Sequence, residues 1–433
     1  MMTDSTPQRR RSSVRRPSIA QDKLVPFSSA KPPAPGGEFR LVFIGAGQIN
    51  FGGETGPWDH SFRLEHHLGT RLKVVALIDP SKATAEKVLE RKRSSFVRSA
   101  YETTKICPSL EAFVDGMETD ERPHAFIVGS PPAFRGSTKP GRDIELKILE
   151  LFPQDTPAFF LEKPLSTDSP EEAQKVARSL ADKNTIISVG YFLRYLRVVQ
   201  KMRSIIEDNN LEVMATVGRY ASTYSVSTKR DWWIKSRDQG PVVEQLTHFV
   251  DLSRYFGGDV DLSSVRAHAL DWDEPAGTLT DMPIDESTIS PDDRIPRVTS
   301  STWKYKTGAV GTLTHMLVLQ GYRYSCELEV YCDGYQLRLM DPYGHPELRV
   351  RSPESDEERI FTFERDDPYE SELKVFIDAA EAHQSTDQAI AEDEDSQILS
   401  TYEDACKTYA FSWAIRHASE LSQTKYRKNA SGQ

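Results

Sequence analysis

Apolar and polar positions divide the chain into two textures. From Phe39 onward, short runs that are apolar on both faces recur: Leu41-Val42-Phe43-Ile44, Val74-Val75-Ala76-Leu77-Ile78, Ala125-Phe126-Ile127-Val128, Ala158-Phe159-Phe160-Leu161 and residues 186–189. Runs of this length, bounded by Gly, Pro or Asp, read as strands buried on both sides. Helical patterns lie between them at 61–69, 81–99 (Ser81 as N-cap) and 170–182. Strands alternating with helices imply right-handed βαβ crossovers and a doubly wound parallel sheet. After residue 210 the period becomes two, at 212–220, 298–305, 309–318, 325–332, 335–340 and 358–363, as in a sheet with one packed face. One helix is predicted within that region at 242–256, and two more near 370–383 and 399–421. The expected fold class is α/β, an N-terminal Rossmann doubly wound sheet followed by an α+β domain with a large, mostly antiparallel open sheet.

Composition refines this division. The chain has 433 residues and a formal charge of −11, but residues 1–37 carry seven basic side chains against Asp4 and Asp22. That Ser-, Pro- and Arg-rich stretch cannot bury enough apolar surface to offset its ordering entropy and reads as a disordered basic tail. Its Arg10-Arg11-Ser12-Ser13 and Arg15-Arg16-Pro17-Ser18 runs have the form of basophilic-kinase or nuclear-address signals, which also arise by chance. The expected domains are 38–190 for the dinucleotide and 191–425 for substrate and oligomerisation. An acidic body argues against nucleic-acid binding. With neither a long apolar run nor a secretory leader, no membrane partner is expected and the expected location is cytoplasmic. Cys107, Cys326, Cys332 and Cys406 are too dispersed for a zinc site or disulfide framework, and the adjacent His66 and His67 cannot share a helix face, so no metal is expected. Residues 271–294 hold eight acids and one basic residue, and read as a solvated surface insertion.

Candidate chemistry begins at Gly45-Ala46-Gly47-Gln48-Ile49-Asn50, which matches G-x-G-x-x-G except that Asn50 replaces the third glycine. It follows a buried strand and precedes a helical pattern, where backbone amides meet a pyrophosphate. The segment Phe51 to His60, with Gly52, Gly53 and Gly56, lengthens the turn, so Asp79 falls 34 residues after Gly45 rather than roughly 20. At the end of the second strand, Asp79 still suits the adenosine ribose hydroxyls and would repel a 2′-phosphate. NAD is therefore expected over NADP, with Lys82 softening the preference.

Further along stand Ser130-Pro131-Pro132, Glu162-Lys163-Pro164 and Gly240-Pro241-Val242-Val243-Glu244-Gln245-Leu246-Thr247-His248-Phe249-Val250-Asp251. In that order, with the glycine turn, they resemble the Gfo/Idh/MocA oxidoreductases (glucose–fructose oxidoreductase, inositol dehydrogenase and relatives) over residues 39–420. The resemblance implies hydride transfer between a nicotinamide and a sugar, polyol or related hydroxy or carbonyl substrate, at a site between the two domains. It implies cofactor contacts from Gly45, Gly47, Gln48, Ile49, Asn50, Asp79, Ser130, Pro131, Glu162 and Lys163. Lys163 and His248 are the implied catalytic residues, with Glu244 where relatives often have Asp.

The residues suit this chemistry independently. Glu244, His248 and Asp251 at i, i+4 and i+7 share one face of a continuous helix. A histidine there serves as base for the hydroxyl proton, and Lys163 as the charge that binds the reacting oxygen. Arg194, Trp232 and Trp233 complete the expected substrate contacts, although the two indoles equally suit a wedge between domains. An open sheet face left bare would be apolar, so a homo-oligomer is expected. Two other readings of the same fold stay open: a catalytically silent nucleotide-binding regulator, and a glycoside hydrolase that uses bound NAD transiently.

Overall fold

The doubly apolar runs assemble into one sheet. A computed structural model describes residues 37–53, 56–181, 183, 185–383 and 397–431; the expected tail lies almost wholly outside them. Strands β1 (Phe39–Ile44), β2 (Leu72–Ile78), β3 (Lys105–Cys107), β4 (Ala125–Val128), β5 (Ala158–Leu161) and β6 (Ile187–Val189) pair in the order β3-β2-β1-β4-β5-β6, all parallel. The order reverses between β1 and β4, which opens a crevice at the carboxyl ends of those strands, where ligands of such sheets bind. The helical pattern expected at 81–99 is a helix at Lys82–Arg93 followed by a separate turn at Arg98–Tyr101. It stops because the Ser94 and Ser95 hydroxyls donate to the carbonyls of Glu90 and Lys92.

The alternating segments build a second sheet of eight strands. These are β7 (Val213–Thr223), β8 (Val260–Leu270), β9 (Val298–Tyr305), β10 (Val310–Leu319), β11 (Ser325–Cys332), β12 (Tyr335–Met340), β13 (Glu347–Ser352) and β14 (Ser355–Thr362), in the order β14-β13-β12-β11-β7-β10-β9-β8. Only β7 and β10 run parallel. β8 was not foreseen because an irregularity between Asp261 and Arg266 interrupts its alternation. Inward residues such as Leu313, Leu328, Leu337 and Val350 pack with Val199, Met202, Phe249 and Leu252 from helices Arg197–Asp208 and Thr247–Gly257.

The outward face differs from expectation. It carries the ion pairs Arg219–Glu327, Arg338–Glu329, Arg338–Glu358 and Arg349–Glu358, with Val217, Val310 and Val318 exposed among them. Among the described residues these charged pairs interrupt the exposed apolar positions of the sheet, which also include Met214, Leu262 and Ile360, so its open face is mixed rather than uniformly apolar as expected. The long helix Tyr402–Ser431 packs on both halves, against helix Pro170–Ala181 and against β8. Among the described residues no helix is long and apolar enough to cross a membrane, and the four cysteines are buried and unpaired.

The helix expected at 242–256 is broken, into Pro241–Glu244 and Thr247–Gly257. The Pro241 carbonyl accepts the amides of both Gln245 (3.0 Å) and Leu246 (2.8 Å), so one turn is widened by a residue before the second helix starts. The continuous helix on which Glu244, His248 and Asp251 were expected to share one face is therefore interrupted between Glu244 and His248.

Candidate active site

The dinucleotide half is built at the ends of β1, β2 and β4. Gly45 has φ +97°, and a Cβ on it would lie 3.1 Å from the Gly129 carbonyl carbon and the Ser130 nitrogen, so only glycine fits between the two strand exits. A Cβ on Gly47 would meet nothing within 4 Å, which leaves open space over the turn. The helix after the turn is short, Gln48–Phe51, and Gly52 ends it. Gln48 is exposed, Ile49 half-buried and Asn50 buried. The next helix begins at His60 with Asp59 as its cap.

Asn50 takes the third glycine's place by donating to the carbonyls of Gly45 (2.8 Å) and Ile44 (3.2 Å). Asp79 stands at the end of β2 and accepts the amides of Ala46 (2.8 Å) and Ser81 (2.7 Å). A carboxylate has about four lone-pair sites, so capacity for hydroxyl donors remains. Ser130 is buried and Pro131 exposed at the exit of β4. The residues therefore fit a dinucleotide: a side-chain-free turn with a carboxylate at the adjoining strand end.

The chemical half begins where β5 runs into Glu162, Lys163 and the cis-linked Pro164. Glu162 accepts a hydrogen bond from His60 Nε2 (2.7 Å), and both are buried. Burial pushes the Glu162 carboxyl up, but the His60 hydrogen bond and the charges of His60, Lys163 and Arg135 outweigh it and hold it below the usual range. Lys163 Nζ crosses to the second domain and donates to the Glu244 carbonyl (3.2 Å) and to Glu244 Oε1 (3.4 Å). The other carboxylate oxygen, Oε2, accepts the Trp232 indole N–H (2.9 Å). Burial again raises Glu244, and the Lys163 charge with the Trp232 and Lys163 hydrogen bonds reverse the sign.

His248 is 7% exposed and its Nδ1 is buried without a hydrogen-bond partner. Its ring meets the edge of Phe192 at 4.9 Å, with Tyr191 at 6.1 Å and Tyr343 at 6.3 Å. Burial first, and the Lys163 charge second, hold it well below the ordinary histidine range. It is therefore neutral at pH 7, the form able to take a proton.

Lys163, Glu244 and Trp232 thus form one hydrogen-bonded cluster, with His248 close enough to feel the Lys163 charge; other expected contacts do not join it. Arg194 is 3% exposed, and its guanidinium is engaged by Asp251 (2.6 and 2.7 Å), by Asp404 (2.6 Å) and by the Leu399 carbonyl. This corrects the substrate contact expected of it, since four of its five N–H donors are engaged within the protein and the side chain is buried. Asp251 is likewise structural. Trp233 is fully buried and donates to the Ser227 carbonyl (2.7 Å), so it cannot touch substrate.

Several neighbours carried no signal in the sequence. Arg135, 1% exposed, donates to the carbonyls of Ser130 (3.2 Å) and Lys163 (3.4 Å) and so braces the exits of β4 and β5. A stack runs outward from His248: Phe192 lies on Tyr369 at 4.0 Å, and Arg63 lies over Tyr369 at 4.7 Å. His315 Nε2 and Gln245 Oε1 are 2.8 Å apart beside Glu244. Gln245 alone was within reach of sequence reading, through its place in the motif around His248.

Comparison with known proteins agrees with this architecture. Residues 39–191 match the oxidoreductase family with an NAD-binding Rossmann fold, and residues 194–335 match an oxidoreductase C-terminal domain. Uncharacterized protein UNK4.17 of Schizosaccharomyces pombe is 46% identical over 396 residues, covering 91% of this chain and 94% of that protein. Uncharacterized protein C12C2.04 of the same yeast is 43% identical over 376 residues, covering 86% and 95%. Among solved structures, a dehydrogenase from Chromobacterium violaceum superposes with TM-score 0.65 at 14% identity, covering 92% of this chain and 99% of that one. Levoglucosan dehydrogenase in complex with NADH and levoglucosan gives TM-score 0.63 at 16% identity, covering 89% and 98%. At such identities the structural matches speak for the fold alone, whereas the family models and the yeast relatives match by sequence. The chain belongs to the Gfo/Idh/MocA family of NAD-binding oxidoreductases.

Proposed function

We propose that this protein is an NAD-dependent dehydrogenase or reductase that transfers hydride between the nicotinamide and a sugar, polyol or related hydroxy or carbonyl compound. The observation that carries this reading is the Lys163–Glu244 pair, which joins the end of β5 to the second domain beside a buried, neutral His248. The division of labour follows domains taken as 38–190 and 191–425. Gly45, Gly47 and Asp79 would hold the dinucleotide, with Asp79 on the adenosine ribose. When bound, the nicotinamide supplies or takes up the hydride.

The remaining chemistry belongs to the chain's own residues. His248 takes the substrate hydroxyl proton at a ring nitrogen as the carbon is oxidised, and returns it in reduction. Lys163 binds the same oxygen and offsets its developing negative charge. Glu244 keeps the Lys163 ammonium turned toward the cleft, and Trp232 offers an aromatic face to the C–H side of a polyhydroxylated ring. The flanking rings Phe192 and Tyr343 limit water around His248.

The test is a screen of polyols, aldoses and sugar acids with NAD and with NADP, read at the reduced-nicotinamide absorbance band. Turnover with at least one compound is expected, faster with NAD. Dinucleotide binding without turnover across the screen would favour the silent regulator instead. Hydrolysis of a glycoside with no net change in that band would favour the NAD-using hydrolase.

A further inference from the structure

Lys163 and Glu244 come from different domains, so their mutual position depends on what holds the Glu244 carboxylate still. Its side chain is 27% exposed and would otherwise rotate. Each oxygen is instead engaged from a different direction, Oε1 by Lys163 and Oε2 by the Trp232 indole N–H. Trp232 packs edge-on against Trp233, centroids 5.3 Å apart at 84°. Trp233 is anchored by the acidic segment 271–294, whose Ile289 joins it in one buried cluster with Ile295, Tyr224 and Leu317, while Leu279, Met282 and Ile284 pack around them.

Polar ties fasten the segment to both flanks of the tryptophan pair. Arg230 donates to the Thr288 carbonyl (3.0 Å) on one side. On the other, the Ser236 amide and hydroxyl donate to Asp293 (2.6 and 2.7 Å). The segment is thus a docked element rather than the solvated insertion its charge suggested.

We propose that Trp232 is a positioning residue for Lys163, acting through Glu244, and that the acidic segment 271–294 is the element that holds Trp232 in place. The proposal rests on the role of Lys163 given above. Physically, an N–H donor on a carboxylate stabilises the ionised form. Without it, Glu244 takes up a proton at higher pH and releases the Lys163 ammonium from its anionic partner. The long-range element is mechanical: the segment fixes Trp233, the indole pair fixes the N–H, and the N–H fixes the carboxylate plane.

The experiment uses the full chain with 15N-labelled tryptophan, and follows the indole N–H resonances against pH. The Trp232 signal is assigned by its loss in Trp232→Phe, which keeps a smaller aromatic ring and deletes the donor. It should titrate with Glu244, and the titration should vanish in Glu244→Gln. In Ile289→Ala, which loosens the segment, the same signal should move toward the position of a solvent-exposed indole while NADH affinity stays within about twofold. An indole signal that is unchanged in Glu244→Gln or in Ile289→Ala overturns the proposal.

Where the substrate screen yields turnover, Trp232→Phe should lower kcat about tenfold, the effect expected of one charge-assisted hydrogen bond. The loss should grow as pH falls toward the ordinary carboxylate range, where Glu244 of the variant protonates before that of the parent, with KM for NADH unchanged. A loss that is flat with pH means that the ring only packs. Failure of the screen would count against the proposed function while leaving the resonance measurement valid, so the two fail separately.

Discussion

Asn50 occupies the space that a side chain at residue 129 would need: a Cβ built on Gly129 lies 2.5 Å from Asn50 Oδ1. The glycine usual at the end of the turn has in effect moved across the crevice to the exit of β4. Gly129→Ala should therefore destabilise the fold by about 1–3 kcal/mol, the range for overpacking, and weaken NADH binding by distorting Gly45. Adding Asn50→Gly should recover most of the lost melting temperature by vacating the space. A double variant no more stable than Gly129→Ala would show that the two residues do not compete.

Asp79 bonds the Ala46 and Ser81 amides, so it shapes the turn as well as facing the ribose site. Asp79→Ala should weaken NADH binding about tenfold, on the scale of a charge-assisted hydrogen bond. NADPH binding should change less, because the carboxylate's repulsion of a 2′-phosphate goes with it. Fluorescence titration measures both, and tighter NADPH binding by the unaltered protein would reverse the assignment.

His248→Ala should lower kcat by about 10²- to 10⁴-fold, the usual contribution of a positioned base, with NADH affinity kept. The pH dependence has a definite sign. Because burial and the Lys163 charge depress His248, it stays unprotonated as pH falls through the ordinary histidine range, and kcat should not decline near pH 6.5 on its account. Lys163→Met removes the smaller of the two causes. The residual activity of that variant should begin to fall at higher pH than the parent's. Parental turnover by His248→Ala from pH 6 to 10 would return His248 to a structural role.

Arg194 joins the helix carrying His248 to the long C-terminal helix through Asp251 and Asp404. Arg194→Met leaves the buried Asp251 without its directly bonded counter-charge, while Asp404 keeps its ion pair with Arg254, and should destabilise by about 3–5 kcal/mol. Below its lowered melting temperature, the variant should keep a near-parental KM for substrate. A large rise in KM with unchanged melting temperature would restore Arg194 to the substrate site.

What the sequence determined by itself was everything written in a local pattern. The doubly apolar runs that became β1, β2, β4, β5 and β6 could only be buried on both faces, and the period of two marked β7, β9 to β12 and β14. The turn at Gly45, the carboxylate at Asp79, and Lys163, Glu244 and His248 were legible because each sits in a contiguous motif with its own physical logic. Tertiary structure decided what those side chains touch. His60 reaches Glu162 across 102 positions, and Arg194 reaches Asp404 across 210, distances at which no periodicity carries information. The four-residue spacing of Glu244 and His248 pointed to one unbroken helix, but the Pro241 carbonyl accepts two amides and the helix is interrupted between them. Net charge misled over residues 271–294 for a related reason. Composition records the many acids, while the placement of the segment is set by a few apolar side chains that find Trp233 only once the chain has folded.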